Sequence, residues 1–214
     1  MRAVLRSIAT REVISASNPS SRQSSYNRKL MEILDRHSQG ELFALVSYVP
    51  EPLGSTLDGL KTPPEGQPLS PAHITLLPPR PLRADPASAY QRIREILAGF
   101  PAFELELTKI CRFPTTNVLY LGVGKGRDQI FELHRALNHG EFFHQEEFEF
   151  QPHLTLAYPP DLGTAERRRA HLEEKWKQVR HLQPFTIDRA VFLSKAAGGH
   201  WNQRAEHSLC DPTL

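Results

Sequence analysis

Two short stretches with one shared pattern decide how this sequence folds: Pro71-Ala72-His73-Ile74-Thr75-Leu76 and Gln151-Pro152-His153-Leu154-Thr155-Leu156. Each combines β-branched and aliphatic residues with flanking proline, which is typical of a short strand. Successive side chains of a strand point to opposite faces, so each histidine shares a face with the threonine two positions later. The aliphatic residues occupy the other face. Because an imidazole beside a hydroxyl is poor material for a core, the pattern predicts a functional site.

The repetition of this pattern carries a family resemblance. A chain of this composition would contain roughly 0.06 copies of His-x-Thr-Leu by chance, so two copies indicate that the pattern is not accidental. The two His-hydrophobic-Thr-hydrophobic strands resemble the paired motifs of the two-histidine (2H) phosphoesterase superfamily, in particular its 2'-5' RNA ligase branch. The resemblance covers about residues 40–210. It implies a bilobal fold whose motifs face each other across a cleft, and metal-independent chemistry on 2',5' or 2',3'-cyclic phosphodiesters.

Length and composition set limits on the class of protein. The chain has 214 residues, of which 39% are hydrophobic and 23% charged, enough for one substantial core or two small lobes. No stretch approaches the 18 or so apolar residues of a membrane span. The net charge of +2 argues against a broad nucleic-acid coat but allows a basic cleft for one or two phosphates. Cys111 and Cys210 lack metal-ligand spacing, and we expect them to stay reduced in a cytoplasmic protein.

The first 25 residues differ in composition from the rest. They are rich in arginine and serine and contain a single acid, Glu12. This composition favours a disordered or flexible tail, and an Arg- and Ser-rich targeting peptide is the alternative. A first helix is predicted from Tyr26 to Leu34 by its apolar spacing.

Alternating hydrophobic residues, helix-capping residues and prolines at element boundaries predict the remaining elements. We expect Pro78, Pro79 and Pro81 to stop the first motif strand. The other predicted elements are a strand over 42–49, a connection over 50–71 with a helical turn near Leu57, a helix from Pro86 capped by Asp85, strands over 103–107 and 118–123, a helix that begins near residue 127 and ends at Gly140, a helix capped by Thr164, a strand over 185–193 and an edge strand over 201–209.

The order of elements around the two motifs matches to within about four residues, which indicates a duplicated unit. A helix and a strand precede each motif, over 26–49 in one half and 127–150 in the other. The predicted fold class is therefore α+β: a bilobal duplicated fold in which two antiparallel sheets with outer helices enclose a central cleft. Residues 26–210 would form one such domain, with lobes over roughly 26–125 and 126–210. Duplication would bring His73 and His153 into one site.

The predicted site holds the groups that phosphodiester cleavage needs. Opening a 2',3'-cyclic phosphate requires a base for water, an acid for the departing sugar oxygen and donors to the phosphoryl oxygens. His73 and His153 supply the acid and the base, and Thr75 and Thr155 supply hydroxyl donors. The resemblance implies that His73 is the acid and His153 the base, whereas the motifs themselves are too alike to assign the roles. No cofactor is expected. The expected substrates are RNA ends or small cyclic nucleotides, and the expected state is a monomer without an obligate protein partner.

Alternatives to this interpretation remain open. Carboxylates such as Asp188 or Glu149 could complete a metal site with the two histidines, although neither motif carries a second ligand. A non-catalytic module that binds a nucleotide or an RNA end would retain the same pocket. Further substrate contacts could come from a set of polar and aromatic residues that suit phosphate or base binding: Arg80, Tyr120, Tyr158 and Trp201. The glycine-rich run over 122–126 lacks the spacing of a phosphate loop and favours a turn.

Overall fold

The computed structural model describes residues 41–196 and 199–210. The tail and the helix predicted over 26–34 lie outside these residues. The strands of the described chain are β1 (Leu42–Tyr48), β2 (His73–Pro81), β3 (Phe103–Leu105), β4 (Leu107–Arg112), β5 (Leu119–Val123), β6 (His153–Ala157), β7 (Phe185–Ile187), β8 (Arg189–Lys195) and β9 (Asn202–Ser208). The α-helices are α1 (Leu53–Asp58), α2 (Pro86–Leu97), α3 (Arg127–Leu137) and α4 (Leu162–Val179).

The strands form antiparallel sheets, as predicted. A four-stranded sheet has the order β2-β1-β8-β9, a three-stranded sheet has the order β4-β5-β6, and β3 pairs with β7 in a separate ribbon. The predicted edge strand over 201–209 is confirmed, because β9 lies at one edge of the larger sheet. The α+β fold class is therefore confirmed, with the β3–β7 ribbon added to the two sheets.

Both larger sheets combine strands from the two halves of the sequence. β1 and β2 pair in one sheet with β8 and β9, and β6 joins β4 and β5 in the other. Sheet membership therefore does not follow the predicted lobe limit near residue 125. The chain exchanges strands between its halves, so neither sheet forms from one half alone.

The apolar faces of the motif strands lie in the core. Ile74 and Leu76 of β2 are fully buried, as are Leu154 and Leu156 of β6. The helices cover the sheets with their own apolar residues, for example Ile93 of α2. None of the helices within residues 41–196 and 199–210 has both the length and the apolar character needed to cross a bilayer.

Several predicted boundaries are wrong. β2 does not stop at its prolines but continues to Pro81, because it is a sheet edge and its register with β1 shifts between Phe43 and Leu45. An edge strand tolerates a missing N–H on its unpaired side. The strands predicted over 103–107 and 185–193 are each divided in two, since β3 and β7 pair with each other instead of continuing the larger sheets.

Two further predictions about the second half are also wrong. No strand lies between α3 and β6; a short 3₁₀ helix over Gly140–Phe142 and irregular chain fill that segment. The N-cap of α4 is Asp161 and not Thr164. The Asp161 carboxylate accepts hydrogen bonds from both the backbone N–H and the hydroxyl of Thr164 at 2.8 Å, so the threonine is the capped residue.

A buried arginine fixes the irregular segment before β6 to β2. The Arg80 guanidinium donates from Nη2 to Glu146 Oε1 at 2.7 Å and from Nη1 to the Phe142 carbonyl at 3.0 Å and to Asn138 Oδ1 at 2.5 Å. Arg80 is only 1% exposed. His134 Nε2 lies 2.8 Å from the same Glu146 oxygen. This network therefore holds the chain over 138–146 against the strand that carries His73.

We expect Arg80→Met to lower the free energy of unfolding by about 3 kcal/mol, because it leaves the partly buried Glu146 carboxylate without its cation. Urea unfolding measures this loss. Arg92→Met is the matched control, since the Arg92 side chain is 66% exposed and its ion pair with Glu95 is 3.5 Å long; its effect should stay within about 0.5 kcal/mol. Equal losses in the two variants would contradict a structural role for the Arg80 network.

Candidate active site

The two motif strands meet at the edges of their sheets. β2 is the edge of the four-stranded sheet, β6 is the edge of the three-stranded sheet, and the two strands lie against each other without pairing. Alternation holds in both strands: each histidine and threonine is half-buried, and the aliphatic residues between them are buried. The structure therefore brings His73 and Thr75 together with His153 and Thr155, which are far apart in sequence.

Each catalytic candidate is held by the same backbone interaction. His73 Nδ1 lies 2.7 Å from the carbonyl oxygen of Pro71, and His153 Nδ1 lies 2.6 Å from that of Gln151. A carbonyl oxygen can only accept a hydrogen bond, so Nδ1 carries the proton in both rings. In the neutral imidazoles this leaves Nε2 with its lone pair. In both rings Nε2 is therefore the nitrogen with the available lone pair.

The pKa values of both histidines are lowered, chiefly because the rings are withdrawn from water. The Nδ1 hydrogen bond to the backbone opposes this shift in each case. For His73, the charges of Lys61 and of protonated His153 lower the pKa further, while Asp58 opposes them. Burial therefore favours the neutral form of both imidazoles in the free site.

Aromatic rings surround the histidines. Tyr48 on β1 meets His73 edge-on, with ring centroids 6.3 Å apart. Phe113 and Tyr120 stack on each other at 4.1 Å and contact His153 at 5.0 and 5.3 Å. These rings restrict the orientation of the imidazoles and reduce their contact with water. Tyr48 and Phe113 were missed by the sequence analysis, because nothing local links them to the motifs.

The four predicted substrate contacts lie in different places. Tyr120 is 6% exposed beside His153, and its hydroxyl accepts a hydrogen bond from Gln151 Nε2 at 3.3 Å. Tyr158 follows β6 and is 42% exposed. Desolvation of its phenol nevertheless raises the pKa of Tyr158, and a hydrogen bond with Thr155 opposes that rise. Both tyrosines therefore lie next to the motif residues.

Arg80 and Trp201 lie elsewhere. Arg80 is committed to the buried network with Glu146. Trp201 immediately precedes β9, which is separated from β2 by three strand spacings, or about 14 Å. Neither position supports a contact with a phosphate held between the motif strands.

The glycine run over 122–126 forms a turn. Gly126 precedes α3 with φ of +84°, and a Cβ there would lie 2.6 Å from the Glu104 carbonyl oxygen. Lys125 pairs with Glu104 at 2.5 Å. As the sequence predicted, this run forms a turn before α3 and not a phosphate loop.

The two carboxylates considered for a metal site form no hydrogen bond with His73 or His153 in the part of the chain that the structure describes. Asp188 accepts hydrogen bonds from Arg189 at 2.9 and 3.0 Å, and Glu149 is exposed. Within residues 41–196 and 199–210, no group of three or more His, Cys, Asp or Glu residues is arranged to hold a metal ion.

Comparison with known families agrees with this arrangement. The model of the 2'-5' RNA ligase superfamily matches residues 49–199, which include both motif strands. The chain belongs to this superfamily. It is thus a phosphoesterase of the 2H group, the family that its two motifs resemble.

Two curated relatives and one solved structure resemble this chain. A protein of Geobacillus kaustophilus named as an inferred phosphoesterase is 32% identical over 139 residues, covering 61% of this chain and 78% of its own. One of Halalkalibacterium halodurans, similarly named, is 30% identical over 135 residues, with coverage of 62% and 76%. Escherichia coli LigT, solved with 3'-AMP, superposes with a TM-score of 0.52 at 14% identity over 80% of this chain and 99% of LigT. That likeness shows a shared fold.

The lowered pKa values of His73 and His153 predict how this family member responds to acid. Both folded-state pKa values lie below the unfolded value of about 6.5, so the unfolded chain binds more protons as the pH falls below 6.5. The free energy of unfolding should therefore decrease from pH 7 towards pH 5. His73→Gln and His153→Gln should each lose less stability over this range than the unmodified protein, as measured by urea unfolding at each pH. The same loss in all three proteins would contradict the depressed pKa values; the shift at His207, also towards a lower pKa, is common to all of them.

Proposed function

We propose that this protein is a metal-independent phosphoesterase that cleaves 2',3'-cyclic phosphate or 2',5'-phosphodiester bonds of RNA ends or small nucleotides, with His73 and His153 as paired acid and base. The observation that carries the proposal is the matched pair of Nδ1 hydrogen bonds, at 2.7 and 2.6 Å, which reserve Nε2 of both rings for proton transfer. Two such atoms on adjoining strands are what an in-line displacement with one base and one acid requires.

In ring opening, the neutral imidazole takes a proton from water through Nε2 as the water oxygen forms a bond to phosphorus. The protonated imidazole gives its proton from Nε2 to the sugar oxygen as that P–O bond breaks. The products are a phosphate monoester and a free ribose hydroxyl, and the two rings have exchanged protonation states. An anionic phosphate raises the pKa of a nearby imidazole. Substrate binding thus opposes the low pKa values of the free site and favours protonation of one ring.

Thr75 and Thr155 share the faces of the histidines and would donate hydrogen bonds to non-bridging oxygens. Tyr158 would orient the Thr155 hydroxyl, with which it interacts. LigT has been solved with 3'-AMP and with phosphate. That a protein of this fold holds such ligands supports a phosphate between the motif strands here. A monomeric, cytoplasmic enzyme is the setting that we infer.

The acid–base pair predicts the outcome of an end-group assay in excess EDTA. An RNA oligomer with a 2',3'-cyclic phosphate end is incubated with the protein, and its phosphate is followed by mass and ³¹P NMR. The protein should open the ring to a single monoester, while His73→Ala and His153→Ala should each lose at least about 10²-fold in rate. His171→Ala, at an exposed position of α4, is the control and should retain full activity.

Other results would replace the proposal. Activity that requires added metal would indicate a metal-assisted reaction. A protein that binds cyclic-phosphate and 2',5'-linked ends without cleaving either would be a nucleotide- or RNA-end-binding module.

The threonines predict a separate kinetic effect. Thr75→Val and Thr155→Val keep the side-chain volume but remove a hydroxyl, so each should lower kcat/KM by about 10- to 100-fold, the usual effect of one hydrogen bond to a charged group. Thr186→Val, at an exposed position of β7, is the matched control and should leave kcat/KM unchanged. Full activity in both motif variants would show that the hydroxyls do not contact the transition state.

A further inference from the structure

Lys61 is a nearly buried cation beside the first motif. It lies in the connection between α1 and β2, and its side chain is only 8% exposed. Its ammonium donates a hydrogen bond to the carbonyl of Ser70, three residues before His73, and lies 3.5 Å from Asp58 Oδ1. The charge is therefore fixed next to the segment that enters β2.

The neighbouring backbone connects the same lysine to the second motif strand. The Thr62 N–H donates to the Leu156 carbonyl at 2.8 Å, and Thr62 forms a parallel bridge with Ala157 at the end of β6. Arg168 of α4 donates to the Thr62 hydroxyl from the other side. Lys61 is thus held where the approach to β2 and the end of β6 come together.

The electrostatics of the site indicate an incompletely compensated cation. Burial lowers the pKa of Lys61 even though Asp58 opposes the shift. Asp58 Oδ1 is buried and makes no hydrogen bond with any part of the chain that the structure describes. An ammonium has three N–H donors, and Ser70 and Asp58 engage at most two of them. At least one N–H donor of the ammonium therefore remains for an anion.

We propose that Lys61 is a substrate-binding residue of this site, which donates a hydrogen bond from Nζ to a non-bridging oxygen of the phosphodiester. The proposal rests on the proposed function and extends it, because the motif residues supply only neutral donors to an anionic substrate when the imidazoles are uncharged. Tyr48 from β1 contacts the His73 ring, and the charges of Lys61, His153 and Asp58 act on the pKa of His73. Lys61 is the amine of this set, and its ammonium form is the cation that could pair with an anionic substrate.

The test uses Lys61→Met, which keeps the unbranched apolar stem of the side chain and removes its charge. We expect kcat/KM for a 2',3'-cyclic nucleotide to fall by about 10- to 100-fold, the effect of one charge-assisted hydrogen bond. The affinity for adenosine 2'-monophosphate, measured by calorimetry, should fall by about tenfold, while that for adenosine should not change. In ¹⁵N NMR the pKa of His73 should rise. Lys125→Met is the control, since the Lys125 side chain is 55% exposed and also pairs with a carboxylate.

Each outcome decides the proposal. A folded Lys61→Met that binds the monophosphate and turns over substrate within about twofold of the unmodified protein overturns it. If Lys61→Met unfolds because Asp58 is left uncompensated, the double variant Asp58→Asn/Lys61→Met removes both charges, and normal phosphate binding by that variant also overturns the proposal. If the unmodified protein cleaves no substrate, the proposed function fails, yet monophosphate binding and the His73 titration still test Lys61.

Discussion

The site depends on the contact between two sheet edges. β2 and β6 are each the edge strand of a sheet, and they meet without forming a common ladder. The buried aliphatic faces of both strands fix which side chains turn inward, since a shift of one residue would exchange the two faces. Burial of Ile74 and Leu154 therefore fixes the face on which the neighbouring histidines lie. The polar faces are left to line the space between the sheets.

Within that frame, burial and backbone hydrogen bonding act on the imidazoles in different ways. The carbonyls of Pro71 and Gln151 select the tautomer, and desolvation sets the charge. Removing water from a ring favours its neutral form, which a base needs but an acid does not. Under the proposed mechanism, an anion bound near the rings would raise the pKa of one imidazole and so complete the acid–base pair. The substrate phosphate would then be part of that pair.

The sequence predicted the parts of the site that local pattern controls. Period-two alternation identified the strands, the faces and the His-Thr pairs, and proline and Asp85 located α2. Features that depend on distant pairing were not accessible: the exchange of strands between the halves, the rings of Tyr48 and Phe113, and the place of Lys61. Arg80 illustrates the limit, because a guanidinium suits a phosphate and a buried carboxylate equally well. Only the fold shows that Glu146 is its partner.

The exchange of strands ties the site to the completeness of the fold. His73 needs β1, which is held by β8 from the far end of the chain, and His153 needs β5 from the first half. Long-range pairings of this kind form late, because the loops that they close carry a large entropic cost. The connection that carries Lys61 is fixed only when Thr62 reaches β6. The positions of His73, His153 and Lys61 therefore arise together, and neither sheet can supply all three alone.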